Sequence, residues 1–231
     1  MIFESELIAG VLIKRYKRFF VDIKLKNKVI TAHCPNTGSM MGLLKKGNKV
    51  WFTESNNIKR KLKYTLQIIE VNKKKIGINT HLTNKIFYEA LSSGKIINLE
   101  KKDILIKEKK FNLNTRFDFF IKKKDKECFI EVKNVTLSRS KNLAEFPDAV
   151  TSRGLKHINE LIVAKKRGFD IYLAFVIQRE DCRKFKIADD IDPKYKKLLT
   201  FALKNKLKVM CYDCKFLPKG IVINNKINFI E

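Results

Sequence analysis

The chain has no basic start leading into an apolar segment, no long apolar run, no even set of cysteines and few acids. It opens Met-Ile-Phe-Glu-Ser-Glu, which lacks the positive region of a secretory signal, so export is not expected. The longest apolar run, Ile171–Ile177, is far too short to span a bilayer, and no membrane partner is expected. The five cysteines, at 34, 128, 182, 211 and 214, are odd in number and scattered. Reduced thiols and a cytoplasmic location follow as the expectation. Cys211-x-x-Cys214 has zinc-like or redox-like spacing, but no second pair accompanies it and the stretch looks like a strand. No internal repeat is evident. Lysine runs at 73–75 and 122–124 are the only low-complexity pieces, and such runs are usually solvated turns.

What is abundant is positive charge. Fifty Lys and Arg face 24 Asp and Glu, for a formal net charge of +26 over 231 residues. That balance favours polyanions as partners. Lys outnumbers Arg 41 to 9; an AT-rich coding sequence gives the same bias, so charge narrows the partner class without assigning it. A hydrophobic content of 45% suffices for one large or two small cores.

Residues 1–80 carry short segments of aromatic and β-branched alternation: 7–14, 19–26, 28–33, 49–53, 64–71 and 75–79. Asn27, Gly38, Gly42, Gly47 and Asn56–Asn57 punctuate them. Five or six strands in so short a span predict a small barrel, most simply an OB-fold. Such barrels grip single strands with basic grooves and stacking aromatics. Arg15, Lys17 and Arg18 beside Tyr16 and Phe19, and Arg60 and Lys61 beside Tyr64, supply the material; a solvated basic rim would look the same. The loop His33-Cys34-Pro-Asn-Thr-Gly-Ser-Met40 either presents backbone N–H groups to a phosphate or bonds to itself as a tight turn. Adjacent residues on a strand point to opposite faces, which argues against a His33–Cys34 catalytic pair.

From residue 84 the pattern changes. Asn84 to Gly94 predicts a helix with Asn84 as N-cap and Glu89 on its surface. Residues 104–111 predict a strand. Arg116 to Lys133 reads as a hairpin whose tip lies near Lys124–Asp125. Pro147 is expected to open the next helix, with Asp148 a candidate cap and Arg153, His157 and Glu160 along a polar stripe. A buried strand follows at 170–177, ending on Gln178 and Arg179. A final amphipathic helix at 192–206 and strands at 208–212 and 220–229 complete the chain.

The hairpin register pairs residues whose numbers sum to about 249. Asp118 then faces Glu131, with Lys133 and Arg116 on the same side. Two carboxylates about 4 Å apart repel by roughly 1 kcal/mol in water and roughly 4 at an effective dielectric of 20. A hard cation such as Mg²⁺ compensates that repulsion; otherwise the segment is an exposed strand face with a Glu–Lys pair. Asp, a strand turn, then Glu-x-Lys resembles the motif of PD-(D/E)xK nucleases, here without the leading Pro. The element order helix, three strands, helix, strand resembles the core of the restriction-endonuclease-like fold.

Several longer stretches carry a closer resemblance. They are Leu-Ile-Lys-Arg-Tyr-Lys-Arg-Phe (12–19), His-Cys-Pro-Asn-Thr-Gly-Ser-Met (33–40), Arg-Lys-Leu-Lys-Tyr-Thr (60–65), Glu-Val-Lys-Asn-Val-Thr-Leu (131–137), Phe-Pro-Asp-Ala-Val-Thr-Ser-Arg-Gly-Leu-Lys-His (146–157) and Phe-Val-Ile-Gln-Arg-Glu-Asp (175–181). The chain resembles the sugar fermentation stimulation protein (SfsA) family. The resemblance implies an α+β chain, with an N-terminal OB-fold-like barrel (1–81) and a C-terminal PD-(D/E)xK nuclease-like domain (82–231) built on a mixed sheet. It also implies non-specific DNA binding and regulation of sugar use, especially maltose genes. Asp118, Glu131 and Lys133 fall on the nuclease motif, and Phe117 stands where an aliphatic residue is more usual.

On a nuclease reading, Asp118, Glu131 and the Val132 backbone carbonyl hold Mg²⁺ or Mn²⁺, and Lys133 positions or activates the attacking water. Glu89 is a candidate further ligand. Gln178, His157 and Glu160 support the site, and Arg116, Arg139 and Arg153 hold phosphate. The competing reading is a DNA-binding regulator without turnover; RNA processing ranks below both. The strand structure of the nucleic acid and the oligomeric state are left open.

Overall fold

The computed structural model describes residues 1–97, 99–100 and 102–231. Six strands build the first sheet: β1 (Ile8–Tyr16), β2 (Phe20–Leu25), β3 (Lys28–His33), β4 (Lys49–Glu54), β5 (Tyr64–Val71) and β6 (Lys74–Gly77). Their order is β3-β2-β1-β4-β5-β6, and a parallel β3–β5 pairing closes the first five into a barrel. Alternation places Leu12, Val21, Ile23, Val50, Phe52 and Leu66 inside, which is the OB-fold architecture expected.

A short 3₁₀ turn at Thr80–Leu82 leads into α1 (Thr83–Ser92). Then come β7 (Ile104–Asn112), β8 (Thr115–Lys123), β9 (Lys126–Val135), β10 (Leu137–Ser140), β11 (Asn142–Phe146), α2 (Ser152–Lys166) and β12 (Asp170–Ile177). β13 (Cys182–Ile187), α3 (Pro193–Lys204), β14 (Lys208–Leu217), β15 (Gly220–Lys226) and β16 (Asn228–Ile230) complete the chain. The main sheet runs β15-β14-β12-β9-β8-β7; β12 lies parallel to both neighbours and the other pairings are antiparallel. It is the mixed sheet expected. α1 covers one face, packing Ile86, Phe87 and Leu91 on Phe119, Ile130 and Val176. α2 and α3 cover the other, packing Ile158, Leu161 and Leu199 among Phe129, Leu173 and Phe175.

Three local expectations are corrected. Asn84 does not cap α1: Leu82 holds the cap position without a side-chain bond, and the Asn84 amide turns to Asp118 instead. Pro147 does not open α2. The helix begins at Ser152, and the Thr151 hydroxyl accepts from the Gly154 N–H, which also displaces Asp148 as the cap. Finally, β10 and β11 interrupt the simple core order between β9 and α2. Together with β13 and β16 they form a separate four-stranded sheet. Leu-Ser-Arg-Ser and Asn-Leu-Ala-Glu-Phe are too short and polar to show strand periodicity by themselves.

The barrel joins the second unit through backbone and the Glu180 side chain. The Gly77 N–H donates to Gln178 O at 2.9 Å, and Glu180 Oε2 accepts from the Lys75 N–H at 2.8 Å. Gly77 must lack a side chain, since a Cβ there would lie 2.3 Å from Gln178 Oε1.

Candidate functional site

β8 and β9 pair in the predicted register, Lys123 with Lys126 through Phe119 with Ile130. The ladder then stops, one pair short of Asp118 and Glu131. The cause lies in β8: Phe117 packs toward α2 with Phe120 and Phe129, whereas Phe119 packs beneath α1. Strict alternation would put 117 and 119 on one face, so the strand twists over at Asp118. Across from it Glu108 has φ 51°, the mark of a local irregularity in β7.

Into the opening goes the Asp118 carboxylate. Its Oδ2 accepts from the Val132 backbone N–H at 2.7 Å and its Oδ1 from Asn84 Nδ2 at 2.7 Å. Glu131 points toward α2, its side chain only 3% exposed. Its Oε1 accepts from Lys133 Nζ at 2.7 Å and meets His157 Nδ1. Its Oε2 is buried without a partner, as is the Tyr195 hydroxyl.

The two acids titrate in opposite directions. Burial, followed by the charge of Glu131, pushes Asp118 up to about 6, although Val132, Asn84 and Lys133 pull it down. Burial also raises Glu131, but Lys133 and His157 outweigh it and hold that carboxyl below its usual range. The site is therefore short of positive charge on the Asp118 side and has an unsatisfied oxygen on the Glu131 side. A buried acceptor left unpaired costs about 1–3 kcal/mol. Both features fit a hard divalent cation, which takes carboxylate oxygens and completes its shell with backbone, water or phosphate. Among the described residues, no cluster of three or more His, Cys, Asp or Glu side chains is arranged to hold a metal, so the two carboxylates would be the main protein ligands.

The remaining predicted residues divide into those near this pair and those engaged elsewhere. Glu89 lines the same cavity of about 620 Å³ as Asp118, but its carboxylate pairs with the Met1 amino group. His157 reaches Glu131, while Glu160, one turn on, accepts from Asn112 Nδ2 at 2.7 Å. Gln178 is fully buried and donates to Asn134 Oδ1 at 2.6 Å and Thr83 Oγ1 at 3.1 Å, with no hydrogen bond to Lys133. Arg116 points to Glu108 at the surface, and Arg153 is exposed on the first turn of α2. Arg139 is clamped by Glu145 and Asp190 through four hydrogen bonds, so its guanidinium is already committed. Arg15 braces the barrel by donating to the Arg18 and Asn36 carbonyls. Lys17 and Arg18, both with positive φ, form an exposed turn, and Arg60 and Lys61 lie exposed on the β4–β5 loop.

Sequence reasoning missed Asn84 as the partner of Asp118, and Tyr195 as a buried neighbour of Glu131. Asn84 was legible only as a cap. Tyr195 sits in α3, more than sixty residues from the motif, and nothing local marks it. Among the described residues no helix is long and apolar enough to cross a membrane.

Comparison with known proteins covers nearly the whole chain. The family profile described as "SfsA N-terminal OB domain" matches residues 13–78, and "Sugar fermentation stimulation protein RE domain" matches residues 81–220. A sugar fermentation stimulation protein homolog of Pelagibacter ubique is 48% identical over 231 residues, all of both chains. The homolog of Maricaulis maris is 42% identical over 226 residues, covering 97% of this chain and 96% of its own. The structure of Pyrococcus furiosus SfsA in complex with Ca²⁺ superposes with a TM-score of 0.89 at 25% identity, over 100% of this chain and 98% of that one. With its barrel, its mixed-sheet domain and these relatives, the chain belongs to the sugar fermentation stimulation protein (SfsA) family.

Proposed function

We propose that the chain binds DNA non-specifically and hydrolyses its phosphodiester bonds with a divalent cation, Mg²⁺ or Mn²⁺, held by Asp118 and Glu131 with the Val132 carbonyl. The observation that carries this reading is the meeting of Asp118, Glu131 and Lys133 where β8 and β9 part, with Glu131 Oε2 buried and unpaired. The complex of Pyrococcus furiosus SfsA with Ca²⁺ supports a divalent ion in the family. A net charge of +26 supplies the attraction for the nucleic-acid backbone.

An ion held by Asp118 and Glu131 would supply Lewis acidity toward a phosphoryl oxygen and a bound water. The chain's own groups set the geometry. Val132 and Asn84 fix the Asp118 carboxylate, and His157 fixes that of Glu131. Lys133 balances charge on a phosphoryl oxygen or holds the attacking water. Arg153 and the basic turns of the barrel bind flanking phosphates.

A second reading, a DNA-binding regulator of sugar genes without turnover, draws on one observation. Lys133 and His157 already hold the Glu131 carboxylate by hydrogen bonds, so its Oε1 has partners within the chain. Incubation with single-stranded, double-stranded and branched DNA, and with RNA, in Mg²⁺ or Mn²⁺ separates the two. Cleavage that disappears in Asp118→Asn, Glu131→Gln and Lys133→Met while binding persists supports the nuclease. Salt-sensitive binding with every substrate left intact supports the regulator.

A further inference from the structure

A second cavity, of about 560 Å³, opens where the barrel meets the start of α1. Its floor is polar, buried and internally bonded. Gln67 Nε2 donates to Thr53 Oγ1 at 2.8 Å, and Asn79 Nδ2 donates to Gln67 Oε1 at 2.9 Å. Thr65 Oγ1 accepts from Arg60 at 3.1 Å. Around this floor stand His33 from the end of β3, Arg60 from the β4–β5 loop, His81 from the 3₁₀ turn and Lys85 from α1. Separate pieces of chain thus turn basic groups toward one space.

The acids nearby leave Arg60 without an ionic partner among the described residues. Glu54 is taken by Lys63 at 2.6 Å, and Glu4 lies 3.4 Å from Lys85 in an exposed pair. Burial, then the charges of Arg60 and His81, depress the basicity of His33. An anion seated there opposes that depression, because an opposite charge nearby favours the protonated imidazole.

We propose that this cavity binds the terminal phosphate of a nucleic-acid strand, with the phosphoryl group against His33, Arg60 and His81. A phosphate monoester carries about −1.5 to −2 charges at neutral pH and three strong acceptor oxygens, where an internal diester offers less of both. Arg60 retains free donors for a two-pronged contact with it. The space far exceeds a lone phosphate and falls in the size range of pockets for small organic ligands. Phe3, Pro35 and Leu82 give it apolar wall for a sugar or base.

The cavity's position gives this binding a use. Lys85 lines both this cavity and the one that holds Asp118. A strand whose end is fixed beside Arg60 therefore runs past Lys85 toward the paired acids. The inference rests on the DNA reading above and refines it: the enzyme acts near phosphorylated ends, with the barrel junction as the anchor.

The test is equilibrium binding of the full chain, in EDTA so that nothing is cut. The probes are short fluorescent single strands bearing a 5′-phosphate, a 3′-phosphate or hydroxyls only, with inorganic phosphate and a mononucleotide as competitors. The expected result is about tenfold tighter binding of one phosphorylated form than of the hydroxyl strand. That preference should vanish in Arg60→Ala/His81→Ala, both surface positions, and persist in Asp118→Asn. Equal affinity for all ends, or a preference that survives the double substitution, overturns the proposal while leaving DNA binding intact. Displacement by inorganic phosphate as effective as by the phosphorylated strand also overturns it, by identifying a free-phosphate site. Failure to bind any strand removes the DNA reading itself.

Discussion

The carboxylate of Asp118 occupies the place a backbone carbonyl would hold, accepting the Val132 N–H at 2.7 Å where the β8–β9 ladder has ended. An acid on one strand thereby completes the hydrogen bonding of its neighbour. The same bond holds it close enough to Glu131 for that charge to raise its pKa.

This placement carries a pH signature. Asp118 is raised from 3.8 to about 6 in the folded chain. The folded state then holds more protons than the unfolded state between those values, so stability falls as pH rises through that window. The full effect above about pH 6 is on the order of 3 kcal/mol against folding. Asp118→Asn should lose this slope and melt higher than the parent at neutral pH without metal. Melting temperatures of the two proteins from about pH 4 to 7 check it; parallel curves would contradict it.

Glu131 and Lys133 form a buried pair 2.7 Å apart, 3% and 13% exposed. Removing one partner of such a pair costs about 3 kcal/mol or more, because the other is left without compensation. Lys133→Met is expected near the lower figure, since His157 still meets Glu131. Glu131→Gln/Lys133→Met should cost less than Lys133→Met alone. Urea unfolding of the cycle decides, and additive losses would show that the two side chains do not act together.

The Tyr195 hydroxyl is fully buried with no hydrogen-bond partner. Burial and the charges of Glu131 and Asp192 raise its pKa beyond the normal phenol range. Tyr195→Phe removes an unsatisfied group and keeps the ring. It should therefore be neutral or stabilising by about 1 kcal/mol, read as a melting temperature equal to or above the parent's. A clear loss would show that the hydroxyl bonds to something in solution.

Gly77 sits where the barrel edge meets the end of β12. A methyl group there would come within 2.3 Å of Gln178 Oε1 and 3.2 Å of its Cβ. Gln178 is fully buried between Thr83 and Asn134 and has little room to move. Gly77→Ala should cost about 2 kcal/mol through overpacking and expose the junction to proteolysis ahead of either core. Limited digestion with fragment mass analysis tests this, and unchanged cleavage would place the joint elsewhere.

Addition of Ca²⁺ or Mn²⁺ at about a hundred times its dissociation constant should stabilise the folded chain by about 2.7 kcal/mol. Glu131→Gln should abolish that shift. A metal-induced rise in melting temperature that survives the substitution would move the ion to another site.

Much of this was legible in the chain itself. Period-two alternation in residues 8–71 and the glycine and asparagine punctuation specify a small barrel, because a half-buried strand permits little else. The Lys-rich tip at 122–126 fixes the hairpin register as far as Phe119 and Ile130. Local chemistry was enough there, since the paired segments are adjacent in sequence.

What lies beyond that reach came from contacts between distant segments. Whether Asn84 caps a helix or holds Asp118 depends on where α1 lands on the sheet. Arg139 is a phosphate ligand by composition, and a closed ion pair only because β11 and the loop before α3 bring Glu145 and Asp190 to it. The reversal of β8 at Asp118 and the gathering of His33, Arg60 and His81 have the same origin. Pattern and charge decide which face a residue prefers; which partner meets it there is settled by packing, where burial makes each polar group take the neighbour that the fold supplies.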